Sequence, residues 1–250
     1  KFNHHNKADT KSLLHIAVHL GPDLCNSRDF FNTMLGSLSL LDAESTGLAL
    51  ELTLNMLKWE NASADIVNLC FEYLKPSFDS LACQNDIRTQ NLLLDIIKFW
   101  IETKPIDAWP QTAFVSVTKV EDSSNPIFKN TNFTKSYIGN DNPQTCKLFY
   151  QLCITMDRGL VGKYPTAAIG VKPREKNKNN LYLRGILLIG LKTQLKEVKE
   201  CLFAYWNEIL PNQTAVDRAL SLLKPNIIEN GMEDSWCQLS SYLMLVLVKN

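Results

Sequence analysis

The sequence is poor in histidine: all four histidines lie within the first 19 of its 250 residues. Histidine is the side chain that most often serves as a general base or a metal ligand near neutral pH. A Cys–His or Ser–His catalytic pair is therefore hard to build anywhere else along the chain. His15 and His19 are four residues apart and would share a helix face, as two zinc ligands would require. The segment lacks the glutamate of a metalloprotease helix and a third ligand, so we interpret both as surface or packing histidines and predict no metal site.

The seven cysteines form no Cys-x-x-Cys pair, and their number is odd. Zinc knuckles and disulfide frameworks need closely and regularly spaced cysteines, so neither is predicted. Several cysteines, Cys146 and Cys153 among them, stand in apolar helical runs, where a free thiol packs as a small hydrophobic group. This usage favours an intracellular, reducing compartment, either nuclear or cytoplasmic. The sequons at Asn61, Asn132 and Asn212 do not change that interpretation, because an asparagine-rich chain contains about that many by chance.

Long apolar runs are missing too. The longest candidate, 239–248, is far shorter than the ~18–20 residues that a membrane-spanning helix needs, so no membrane is predicted as a partner. The formal net charge is zero, which removes any general electrostatic attraction to nucleic acid or to an acidic membrane. The chain begins at Lys1 without a methionine or an apolar signal segment, and we therefore expect it to be a fragment or a processed chain.

A phosphate-binding loop is also absent. The segment 159–165, GLVGKYP, contains two glycines and a lysine, but Tyr-Pro follows the lysine where a phosphate loop has Ser or Thr. We interpret it as a turn. Gly185 and Gly190 lie inside an apolar helical run, where they are expected to permit close contact between helices. No cofactor and no small-molecule substrate are predicted.

What the sequence does contain is helical periodicity. Its content of hydrophobic residues, 45%, and of charged residues, 21%, is that of a globular domain. Apolar residues recur at intervals of three and four, most clearly over 42–100, where short connectors predict consecutive antiparallel helices. Asp42, and Ser63 or Asn61, are the expected caps of two of them. The predicted helices, about ten in number, cover 11–20, 27–40, 43–59, 64–74, 85–102, 144–157, 180–191, 194–210, 212–223 and 235–248.

Helix ends are predicted before Pro76 and Pro105, because the residue before a proline resists the α conformation. In the first helix, Leu13, Leu14, Ala17 and Val18 are expected to lie on one face. A second loop is predicted at 158–179, where glycines and prolines recur.

The segment 105–142 interrupts the helical pattern with prolines, a glycine and a run of Ser, Thr, Asn and Asp. Within it only 112–120 alternates with period two, which predicts a single strand or an extended arm. About 35 residues without regular structure are unusual inside a compact domain. We therefore predict an N-terminal helical half at 1–110, a polar insertion or hinge at 111–142 and a C-terminal helical half at 143–250, all within one α-helical domain.

Two similar runs end in tryptophan: 54–59, LNMLKW, and 94–100, LDIIKFW. They are about 40 residues apart, the length of one two- or three-helix repeat unit. In the length of this repeat and in its helical pattern of apolar residues, the chain resembles the armadillo/HEAT class of helical repeats, although it has no diagnostic motif. The resemblance implies an all-α fold of stacked antiparallel helix pairs, an α-solenoid with a long central loop. A non-repetitive helical bundle is the alternative.

Dense helical periodicity without a catalytic constellation predicts a non-enzymatic scaffold or adaptor for protein–protein interaction. Its partner would be a protein or peptide segment within an intracellular multi-subunit complex. An enzyme with an unrecognised site is a further hypothesis.

The alternative function is nucleic-acid binding by a helical domain through the basic loop 163–199. The candidate contacts to phosphates, or to an acidic partner, are Lys163, Lys172, Arg174, Lys176 and Lys178. No aromatic residues are interleaved for base stacking, and a solvated flexible loop would explain the same residues.

Overall fold

A computed structural model describes residues 7–84, 86–118, 127–163, 178–191, 193–209 and 217. Within these residues the protein is α-helical except for a short two-stranded ribbon, in agreement with the predicted helical class. The chain divides into two compact units, Lys1–Ala113 and Phe114–Asn250, which we call the first and the second unit. No helix of the described residues is long and apolar enough to cross a membrane.

Capping residues set the helix starts in the first unit. The side chains of Asp42, Ser63 and Asp86 each accept a hydrogen bond from the backbone amide three residues further on, which satisfies an amide that has no partner inside the helix. The predicted caps at Asp42 and Ser63 are thus confirmed. The helices are α1 (Lys7–Leu20), α2 (Pro22–Cys25), α3 (Arg28–Gly36), α4 (Ala43–Lys58), α5 (Ala64–Ala82) and α6 (Ile87–Thr103), with short 3₁₀ turns at Leu38–Leu40 and Ile106–Ala108.

Helices that alternate along the chain pack side by side in the first unit. Helix α4 lies between α1 and α6, while α3 packs against α5, which also contacts α6. Helix α4 is the most enclosed of them, since most of its residues are buried, on all of its sides. This pattern requires one row formed by α1, α4 and α6 and a second layer formed by α3 and α5.

The predicted end of a helix before Pro76 is wrong, because α5 continues through this proline to Ala82. A proline inside a helix removes one backbone hydrogen bond and costs about 3 kcal/mol. Here its ring is exposed, and the same helix buries Phe71 and Phe78, whose rings both contact Trp100 of α6. Burying two aromatic side chains contributes about 1.5–3 kcal/mol each, which offsets the cost of the proline.

The second unit contains α8 (Asn132–Ile138), α9 (Pro143–Lys163), α10 (Lys178–Gly190) and α11 (Lys196–Ile209). The short helix α7 (Gln111–Phe114) joins the two units in sequence. Strands β1 (Val115–Thr118) and β2 (Ile127–Asn130) form an antiparallel ribbon, in which Val115 pairs with Asn130. Helix α9 packs against both α10 and α11.

The prediction that 105–142 lacks regular structure is wrong. The segment predicted to be extended at 112–120 is a strand only at Val115–Thr118, because residues 112–114 belong to α7, and residues 132–138 form α8. Helix α8 is stabilised by the burial of two aromatic side chains, since Phe133 and Tyr137 are buried and both rings contact Phe149 of α9. Part of the predicted polar insertion therefore belongs to the core of the second unit.

The predicted loop at 158–179 begins later than expected, since α9 continues from Asp157 to Lys163 through two glycines. Residues 164–177 lie outside the described residues. So do the helix predicted at 235–248 and, except for residue 217, the helix predicted at 212–223.

Candidate functional site

The predicted histidine pair lies on α1, where both side chains are exposed. His15 lies near the Glu44 carboxylate, with 3.7 Å between Nε2 and Oε1. Among the described residues no group of three or more His, Cys, Asp and Glu side chains could hold a metal ion. The described surroundings of both residues are those of surface histidines.

The basic residues predicted to contact phosphate or an acidic partner are only partly described. Lys163 is the last residue of α9 and Lys178 is the first of α10. Lys172, Arg174 and Lys176 lie outside the described residues, so their gathering on one surface stays a prediction.

Cys146 and Cys153, which stand in an apolar helical run, are buried in α9. Burial raises the pKa of the Cys146 thiol to about 11 and also raises the pKa of Cys153. A thiol with a raised pKa forms little thiolate at neutral pH, and the thiolate is the reactive form. Both cysteines therefore act as packing residues.

One of the two glycines of α10 permits the close contact that was predicted. A Cβ added at Gly190 would lie 2.5 Å from Cε1 of Tyr150 and 2.7 Å from Cδ1 of Leu202. At Gly185, which is buried, a Cβ would meet no described residue within 4 Å, so among the described residues the predicted contact is not seen there. Gly190 thus lets α10 approach both α9 and α11.

Three polar residues of the second unit form what we call the buried ionic cluster: Asp157 of α9, Arg184 of α10 and Tyr205 of α11. The Arg184 guanidinium Nε lies 3.1 Å from Oδ1 and 3.3 Å from Oδ2 of Asp157, and the Tyr205 hydroxyl donates to the same carboxylate. The side chains of Arg184 and Asp157 are only 3% and 1% exposed. Burial raises the pKa of Asp157 above its ordinary value, although Arg184 and the Tyr205 hydrogen bond oppose that shift.

The buried ionic cluster links three helices at one carboxylate. All three side chains are buried and bonded to one another, so the cluster stabilises the packing of the three helices. Our interpretation of the sequence did not include this cluster. Two features of the sequence could have indicated it. Asp157 continues the helical spacing of Cys146 and Cys153, which predicts that it is buried with them, and Arg184 stands inside the apolar run 181–191. A charged residue in such a position is rarely buried without a partner.

The largest exposed apolar feature of the described helices lies on α1. Leu13, Ile16 and Leu20 are 46%, 55% and 51% exposed. They are separated by three and four residues, so they form a stripe along one side of the helix, which we call the outer stripe. Leu13 is next to Ala17 around the helix, on the face predicted for it, but it lies at the exposed edge of that face.

The neighbouring face of the same helix is covered. Thr10, Leu14 and Ala17 are buried, at a spacing of four and three residues, where α1 packs against α4. An ion pair closes one edge of this contact, with 2.6 Å between Nζ of Lys11 and Oε2 of Glu44. The Lys11 ammonium lowers the pKa of the Glu44 carboxyl, so this pair is ionised near neutral pH. The apolar face of α1 is thus buried along one half, against α4, and exposed along the other half.

No protein-family model matches the chain, and neither a curated protein nor a solved structure does.

Proposed function

We propose that the protein is a non-enzymatic scaffold or adaptor subunit of an intracellular complex, and that it binds another protein through the outer stripe of α1. The observation that carries this proposal is the exposure of Leu13, Ile16 and Leu20 on one helix, which packs against α4. Apolar side chains gain about 25 cal/mol per Å² on leaving water, so a continuous exposed stripe favours association.

The arrangement of the helices supports a repeat-like scaffold. In a solenoid of helix pairs, every second helix belongs to the same layer and contacts its counterparts in the neighbouring pairs. The row of α1, α4 and α6, beside the layer of α3 and α5, has this pattern. We therefore propose that the first unit is a short armadillo/HEAT-like stack.

The position of the stripe within this stack gives it a function. Helix α4 shows the state of a helix inside the row, because its neighbours cover both of its flanks. Helix α1 presents Leu13, Ile16 and Leu20 to water instead, which is the pattern expected of a binding surface.

The proposal is tested by quantitative affinity capture from cell extract with the full chain and with the variant Ile16→Glu. The carboxylate would be buried in the contact without a partner, so proteins that bind the outer stripe should be lost from the captured set. Leu40→Glu is the matched control, because Leu40 is 59% exposed and lies outside α1.

Two results would contradict the proposal. One is a set of captured proteins that is the same for Ile16→Glu, for Leu40→Glu and for the unchanged chain. The other is capture that depends on nucleic acid and is lost when Lys172, Arg174, Lys176 and Lys178 are replaced by alanine, which would favour the nucleic-acid-binding alternative.

A further inference from the structure

We draw no further inference here: the strongest candidate, the outer stripe of Leu13, Ile16 and Leu20, is the exposed flank of the contact between α1 and α4, and nothing in the structure shows what covers it.

Discussion

The glycines of α10 allow a test of helix packing with two substitutions of the same chemistry. Replacing Gly190 by alanine should destabilise the second unit, whereas replacing Gly185 by alanine should stabilise it. In both cases a methyl group is added to the same helix. The surroundings differ, because Gly190 faces Tyr150 and Leu202, while a Cβ at Gly185 has no neighbour within 4 Å in the part of the chain that the structure describes.

The expected sizes follow from these distances. Carbon atoms attract each other best at about 3.5–4.0 Å, so an approach of 2.5 Å to Tyr150 forces the helix or the ring to move. Tyr150 and Leu202 are 1% and 0% exposed and cannot turn into solvent. Overpacking of this kind costs about 1–3 kcal/mol. Alanine favours a helix over glycine by up to about 1 kcal/mol, a gain that Gly185→Ala receives without a clash.

The free energy of unfolding is measured by urea denaturation followed by circular dichroism. Gly190→Ala should lower it by about 1–2 kcal/mol and Gly185→Ala should raise it by up to about 1 kcal/mol. Adding Leu202→Ala to Gly190→Ala should cost less than the sum of the two single changes, because it removes one of the clashing side chains. Changes of the same sign and size at both glycines would refute the close contact of α10 with its neighbours.

Three further predictions concern two buried groups, Asp157 and Cys70. Asp157→Asn should lower the free energy of unfolding by about 3–5 kcal/mol, because it removes the carboxylate that the buried Arg184 guanidinium contacts. The double change Asp157→Leu with Arg184→Met should cost less, and urea denaturation in which the double variant is the less stable would contradict this. Iodoacetamide at about pH 8 should label the exposed Cys83 and spare the buried Cys70, because burial raises the pKa of the Cys70 thiol to about 12. Equal labelling rates of the two thiols would contradict the burial of Cys70. Above the ordinary thiol pKa of about 8.5, the folded chain keeps the Cys70 proton that the unfolded chain releases. The free energy of unfolding should therefore fall as the pH rises above this value. In Cys70→Ala this contribution to the pH dependence should be absent.

The local part of the fold could be predicted from sequence because its causes lie a few residues apart. A cap such as Asp42 or Ser63 bonds an amide three positions away, and the residue types alone identify it. Pro76 shows the opposite situation. Its own preference ends a helix, but the aromatic contacts that Phe71 and Phe78 make with Trp100, in the next helix, decide the outcome.

The candidate sites could be predicted less well, for two physical reasons. The members of the buried ionic cluster are 27 and 48 residues apart from Asp157, and no periodicity identifies partners at such separations. The apolar residues Leu13, Leu14, Ile16, Ala17 and Leu20 of α1 form one broad face. Periodicity therefore predicts a helix there but does not show which side packs against α4 and which side meets water.

The tryptophans give each unit its own optical reporter. Trp100 lies buried in the first unit, with its ring centroid 4.0 Å from that of Phe71. Trp206 lies buried in the second, where its indole Nε1 donates to the carbonyl of Leu187 at 3.4 Å. A variant that keeps only Trp100 or only Trp206 of the five tryptophans would emit fluorescence from a single, known apolar environment. Comparing two such chains during denaturation would show whether the units melt together or separately, without an attached dye.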